Sequence, residues 1–181
     1  MTYFINITIK VSIILLFCES CQKLEEIKTD MINAADLMDN YITDPEITIS
    51  KKNIISLKAT ANFLIKNDNE DARLSGDVVA DFFDDLGLHK SILYSDSAII
   101  NESNNNFTAF GNVTLVSDSG FTLLTDNIFW DNNYRKIVSN DSVMFTSNNM
   151  DTLYGVGFES DMDLLNWKII KPTGVTYREI E

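Results

Sequence analysis

From Glu46 onward, apolar and polar residues alternate in short segments, and this period of two limits the fold more than any other feature of the sequence. Segments 55–61 and 63–65 are clear examples. In a β-strand, alternation places successive side chains on opposite faces, so that one face is buried and the other is solvated. Clusters of Asn, Asp, Gly and Ser separate the segments, as at 67–71, 101–106 and 147–151. The pattern predicts an all-β domain of many short strands.

An internal repeat runs through this alternating region. Each copy contains a Gly-polar-Val triplet, a glycine turn and a Ser/Thr-Asp pair. In the first copy these are Gly76-Asp77-Val78, Gly87 and Ser95-Asp96. In the second copy they are Gly111-Asn112-Val113, Gly120 and Thr125-Asp126. A third, decayed copy begins at Asp141-Ser142-Val143. Repeats of this kind predict stacked strand units that share one core. The open ends of such a stack favour edge-to-edge pairing with partner proteins.

The charge of the chain excludes two classes of function. It has 14 Lys and Arg against 27 Asp and Glu, a formal net charge of -13. A nucleic-acid binder needs a basic footprint, which is missing here. Recruitment to an anionic membrane by a polybasic patch is excluded for the same reason.

The amino terminus carries the pattern of an export signal. Lys10 precedes the apolar run 11–17, which has the size of a signal-peptide core and is too short to span a bilayer. Ser20 before Cys21 resembles the end of a bacterial lipoprotein signal, so residues 1–20 are interpreted as the signal peptide and Cys21 as the acylated anchor. A single N-terminal transmembrane anchor and a buried helix with two free cysteines are the alternatives. A redox role for Cys18 and Cys21 would need a βαβ context, which the sequence lacks.

Residues 21–44 link this leader to the alternating region. Their apolar residues recur at helical spacing and are separated by acidic side chains, which indicates a short amphipathic helix or linker near the anchor. It either holds the body away from the membrane or packs against one end of the sheet. Asp44-Pro45 marks a break, and the β-domain is assigned to 45–175, with a tail at 176–181.

No constellation for catalysis or for a cofactor is found in the sequence. His89 is the one histidine and lacks partners for a zinc site or a catalytic triad, so we expect a solvated or edge side chain. The acidic pairs Asp84-Asp85 and Asp161/Asp163 are expected at solvated turns and strand ends. The alternative for these carboxylates is calcium binding. It would be weak, because no 12-residue calcium loop is present. The chain is therefore predicted to have no enzymatic activity, no metal and no cofactor; an acidic glycan hydrolase would need a carboxylate pair held in different environments.

The apolar faces of the strands are the more informative candidates for a site. Residues two apart share a face of a strand. The inward-facing candidates are Val78, Phe82, Val113, Leu115, Phe121, Leu123, Ile128, Trp130, Val143 and Phe145. They form either an ordinary packed core or a groove for acyl chains, and spacing alone leaves both open.

The ordered motifs from Phe110 to Gly157 resemble a known family. They are Gly111-Asn112-Val113, Gly120 with the following apolar strand, Thr125-Asp126, Trp130 and the Gly155-Val156-Gly157-Phe158 segment, and the similarity covers about 45–175. This set is similar to LptC, the periplasmic component of lipopolysaccharide export, and more widely to the OstA-like β-jellyroll proteins that include LptA. The resemblance implies an open, twisted β-jellyroll of stacked strand repeats whose interior holds the acyl chains of lipid A.

The resemblance also implies partners and a location. One sheet edge would receive lipopolysaccharide from an inner-membrane LptBFG-type ABC transporter, and the other would pass it to an LptA-like periplasmic protein by edge-strand pairing. The protein would lie at the periplasmic side of the inner membrane, held through Cys21. LptC proteins usually carry an N-terminal transmembrane helix, so the lipoprotein-type leader is a departure. The alternative function is a structural or adhesive surface lipoprotein with a self-filled core of β-repeats.

Overall fold

A computed structural model of the chain describes residues 41–68, 70–149 and 151–174, and these form an 11-stranded sheet. The strands in chain order are β1 Tyr41–Thr43, β2 Glu46–Lys51, β3 Ile54–Thr60, β4 Phe63–Ile65, β5 Ala72–Phe83, β6 His89–Ile100, β7 Phe107–Ser117, β8 Thr122–Asp131, β9 Lys136–Thr146, β10 Thr152–Ser160 and β11 Lys168–Thr173. The predicted clusters at 67–71, 101–106 and 147–151 connect consecutive strands.

The sheet is an antiparallel meander. From β4 to β11 each strand pairs with the next one in the chain. The β2–β3 hairpin joins this order through β3, which pairs with β5 beside β4, and β1 pairs with β4. Short turns suffice to connect antiparallel neighbours, and Asn, Asp, Ser and Gly supply them.

The long strands each contain an irregularity near the middle. In β5, Gly76 and Asp77 stand opposite the single residue Asp96 of β6. In β7, Gly111 and Asn112 stand opposite the single residue Asp126 of β8. Two residues facing one, with a glycine in the left-handed region, form a β-bulge, which bends the strand and increases its twist.

The sequence repeat is this bulge together with the aspartate opposite it. Gly76 and Gly111 both have φ of 76°, and the polar residue after each, Asp77 or Asn112, has φ of 48°. The repeated turn glycines also match, since Gly87 and Gly120 each donate an N–H to the residue three positions earlier. In the third copy, Val143 is buried like Val78 and Val113, although no left-handed residue precedes it.

The aligned bends fold the sheet onto itself. Arm A is defined as 78–83, 91–95, 113–117, 122–125 and 142–146, and arm B as 72–75, 97–100, 107–110, 127–131 and 136–139. The ring of Phe82 on β5 lies 5.3 Å from that of Trp130 on β8. Three strand spacings in a flat sheet would separate them by about 14 Å. The short distance therefore shows that the two arms pack face to face.

The core lies between these arms. Its largest fully buried side chains include Trp130, Phe82, Phe107, Phe145 and Phe158. The predicted fold class, an open twisted β-jellyroll of stacked strand repeats, is confirmed. The first strand lies before Pro45, where the predicted β-domain begins. The leader, Cys21, most of the predicted helix or linker, and the 176–181 tail lie outside the described residues.

Candidate functional site: an apolar interior with an open end

The ten predicted inward-facing side chains all contribute to one apolar interior. Nine of them, all except Phe121, are at most 4% exposed, and Phe121 is partly buried against the same cluster. They come together because the strand register places inward residues beside one another. Leu115 pairs with Leu123, which pairs with Phe145.

Aromatic contacts fill the space between the arms. The Phe82 ring contacts Phe107 edge to face at 6.0 Å, besides Trp130. On the other side of the interior, Phe145 stacks on Phe121 at 5.6 Å and lies 5.2 Å from Phe158. Such pairs stabilise a core by about 0.5–1.5 kcal/mol each beyond their burial. The interior is thus packed by its own side chains, and a guest molecule has to displace some of them.

An apolar cleft lies beside the interior at the carboxyl-terminal edge of the sheet. Its volume is about 730 Å³, and it is lined by β10, β11 and the segment before β11. Its apolar wall includes Leu153, 39% exposed, and Trp167, 38% exposed. The Trp167 ring lies 4.7 Å from that of the buried Phe145, so one wall of the cleft packs directly against the interior. We call this cleft the mouth.

Both edges of the sheet expose apolar side chains. At the amino-terminal edge, Tyr41 of β1 stacks on Phe63 of β4 at 5.2 Å, and the two residues are 44% and 40% exposed. At the other edge, Ile170 of β11 is 50% exposed. Within the described residues, β11 pairs with β10 alone and β1 with β4 alone. Edge strands of this kind are templates for pairing with a further strand.

A seam runs where the tips of the two arms meet. At the tip of arm B, Arg135 donates from Nη1 to the carbonyl of Phe83 and from Nη2 to Asp85, both at the tip of arm A, each at 3.1 Å. Its guanidinium also lies 5.9 Å from the centre of the Trp130 ring. Lys90, at the tip of arm A, has its ammonium 3.9 Å from the carboxylate of Asp163, which follows β10. Polar contacts therefore close the seam over an apolar interior.

His89 differs from the solvated or edge side chain expected. Its Nδ1 lies 2.9 Å from Asp118, and its Nε2 lies 3.1 Å from Asp81. Burial lowers the pKa of His89, but the hydrogen bonds and charges of the two carboxylates outweigh burial and raise it above 6.5. The histidine bridges β5, β6 and the β7–β8 turn through these two carboxylates.

The acidic pairs lie at turns, as expected, and are held by hydrogen bonds. Asp84 accepts the N–H groups of Leu86 and Leu88, and these bonds, with Lys90, outweigh burial and lower its pKa. Burial and the neighbouring carboxylate of Asp161 raise the pKa of Asp163. Burial also acts on Asp161, but hydrogen bonds from Asn166 outweigh it and lower the pKa of Asp161. These carboxylates organise turns.

A second cleft, of about 510 Å³, lies on the outer face of the sheet. It follows the bends of β7 to β10 and is lined by Leu124, Met144 and Tyr154, among others.

In the described part of the chain, no three His, Cys, Asp or Glu side chains converge on a common point for a metal. The same residues contain no helix with the length and apolar character needed to cross a membrane.

Sequence reasoning missed several residues of the site. Leu93, Phe107 and Ile137 line the same interior, and their alternation with exposed neighbours could have identified them. The mouth residues Leu153 and Trp167 give no such signal, because their role depends on where the sheet ends. Arg135 was missed since its partners are about fifty residues away in the sequence.

Comparison with protein families identifies the family of the chain. A family model described as OstA-like protein matches residues 51–167, which is more than half of the chain and spans the sheet from the end of β2 to the segment before β11. No curated protein matches the chain. The chain therefore belongs to the OstA-like protein family.

Proposed function

We propose that this chain is a non-catalytic periplasmic component of lipopolysaccharide export. It acts as an LptC-type protein, which receives lipopolysaccharide from an LptBFG-type ABC transporter and passes it to an LptA-like bridge. The observation that carries this proposal is an apolar interior in contact with an apolar cleft, the mouth, in a sheet of the OstA-like family. Each CH₂ of an acyl chain that leaves water contributes about 0.8 kcal/mol. That gain acts against the cost of displacing packed side chains.

Photo-crosslinking in cells under active export tests the ligand. A photoreactive phenylalanine analogue at Phe121 retains the ring that packs on Phe145, and one at Leu153 probes the mouth. We expect both positions, and the deeper Leu115, to crosslink to lipopolysaccharide. Tyr94 is the matched control, because it is 44% exposed and lies on arm A facing away from the interior. Equal crosslinking at Tyr94, or none at the three inner positions, contradicts the proposal.

The packing of the interior favours one rival, a structural or adhesive surface lipoprotein with a self-filled core. Phe82, Leu115 and Trp130 are all fully buried without any guest. Under this rival, no lipid enters, and crosslinks at the inner positions are absent even when export is active.

The edge strands are proposed to form the contacts with partners. A photoreactive residue at Ile170 on β11 and another at Ile42 on β1 report on the two edges. We expect one edge to capture a subunit of the transporter and the other to capture the LptA-like protein. Capture of both partners at the same edge would contradict a relay from one edge to the other.

Anchoring through Cys21 at the periplasmic side of the inner membrane is part of the same proposal, with a single transmembrane anchor as the alternative. Metabolic labelling with a palmitate analogue should be lost in Cys21→Ser and kept in the control Cys18→Ser. Mass spectrometry of the mature amino terminus gives the second readout, and an intact Met1 contradicts lipoprotein processing.

A further inference from the structure

A basic pocket lies beside the seam of this acidic protein. Its volume is about 400 Å³, and it is lined by Lys51, Lys52, Ile54, Asp85, Asn133 and Arg135. Three cations thus face one carboxylate in a chain whose net charge is -13. The volume falls within the range of about 300–1,000 Å³ that is usual for small-molecule sites.

The three cations retain capacity to bind an anion. Among the described residues, neither Lys51 nor Lys52 has an ion-pair partner. Arg135 uses two of its guanidinium nitrogens on the Phe83 carbonyl and on Asp85, and it keeps further N–H donors. The Asp85 side chain is 85% exposed, so it can turn into solvent at little cost when a stronger anion arrives.

The pocket stands directly over the apolar interior. Arg135, part of its wall, lies over the Trp130 ring, and Trp130 contacts Phe82. Two buried donors near this contact, Trp130 Nε1 and the hydroxyl of Ser91, have no hydrogen-bond partner in the described part of the chain. Ser91 pairs with Phe82 across β5 and β6. Unsatisfied donors of this kind favour a ligand that brings acceptor oxygens.

We infer that the pocket formed by Lys51, Lys52 and Arg135 binds a phosphate group of an amphipathic ligand whose acyl chains enter the interior through the adjacent seam. The inference rests on the proposed function and deepens it by assigning a place to the phosphorylated head group. Phosphate suits the site because a guanidinium binds its oxygens in a fork and lysines bind it as point charges. The two unpartnered donors match the ester or amide oxygens at the base of the acyl chains.

Binding by the full-length chain in neutral detergent micelles tests the inference by calorimetry. The probes are diphosphorylated lipid A and the same lipid after removal of its phosphates. We expect the phosphorylated form to bind about tenfold more tightly, with the preference weakening as salt rises. The double variant Lys51→Gln/Lys52→Gln should abolish the preference. The matched control Lys58→Gln/Arg73→Gln removes the same charge outside the pocket and should keep it.

Titration with inorganic phosphate distinguishes a site for a lipid head group from a site for a free anion. Amide NMR shifts at Ile54 and Asn133, which line the pocket and are unchanged in the double variant, support an anion site if they saturate with phosphate in the wild type and are absent in the double variant. If those shifts occur but neither lipid binds, the source is a free phosphate and the proposed function fails. Equal binding of both lipids by the wild type overturns the pocket and leaves lipid transport standing. Binding of no probe at all overturns the pocket and counts against the proposed function.

Discussion

At the scale of single residues, the bulge glycines set the bend of the sheet. A Cβ on Gly111 would collide with the side chain of Asp96, and its φ of 76° is strained for any L-residue. Gly87 has nearly the same φ, 77°, but a Cβ there meets only ordinary contact with Ile54. The backbone conformation is thus common to both sites, and the collision is confined to the bulge.

We therefore expect Gly111→Ala to destabilise the fold by about 3 kcal/mol and Gly87→Ala by about 1 kcal/mol. The first change adds a steric clash to the backbone strain that both share. Urea denaturation of the two variants beside the wild type measures the difference. Equal losses would mean that the bulge tolerates a side chain by shifting Asp96, and that the glycine is required only for its φ.

His89 links stability to pH at the same scale. Its pKa is raised by Asp81 from β5 and Asp118 from the β7–β8 turn, while the nearby cation Lys90 is paired with Asp84. A pKa higher in the folded state than in the unfolded state adds stability that is complete below about pH 6.5 and is lost as pH rises through the folded value. The imidazolium, rather than the neutral ring, is thus the stabilising form.

His89→Gln should consequently be less stable than the wild type under mildly acidic conditions, and the gap should narrow in alkaline solution. Because His89 is the one histidine of the chain, NMR titration of its ring reads the folded pKa without overlap. A measured pKa at or below 6.5 would refute the carboxylate-bound imidazolium. Asp118→Asn is the control and should lower the pKa of His89 toward its ordinary value.

At the scale of elements, the strands follow from the sequence, whereas the seam does not. Period-two alternation identifies the buried face of β7 and β8 because each residue's side is set locally. The bulges at Gly76 and Gly111 are visible as a repeat, since their φ values favour glycine. Arg135 meeting Phe83 and Asp85 depends instead on how far the sheet bends. The overall bend results from the bends of all the strands together, so no local sequence pattern predicts it.

The two contacts that Arg135 makes across the seam should contribute unequally to the free energy of unfolding. The Arg135 side chain is 16% exposed, and its loss leaves the Phe83 carbonyl without its donor, whereas Asp85 is 85% exposed. Arg135→Met, which keeps an apolar stem over Trp130, should cost about 1–3 kcal/mol, and Asp85→Asn less than about 0.5 kcal/mol. Urea denaturation at equal salt compares them. Similar costs would show that the ion pair, rather than the bond to the backbone, holds the arms together.

At the scale of the whole molecule, the same residues serve as both core and candidate site. The sequence predicts which side chains face inward, and all ten do. It does not distinguish a packed core from a lipid groove, because both need the same alternation. The structure describes a filled interior with a mouth, so any lipid must enter by separating elements that are packed together without it. The two candidate routes are the seam and the mouth.

Hydrogen exchange distinguishes these routes. If lipid enters through the seam, binding should accelerate amide exchange at the arm tips, 84–90 and 131–136, because their packing across the seam is lost. The bends at 76–78 and 111–113 are the internal control and should be unchanged, since the arms hinge about them. Mass spectrometry of the full-length chain, with and without lipopolysaccharide in detergent, measures both regions. Changes confined to 152–158 and 167–173 would instead identify the mouth as the entrance and remove the seam from the path of the ligand.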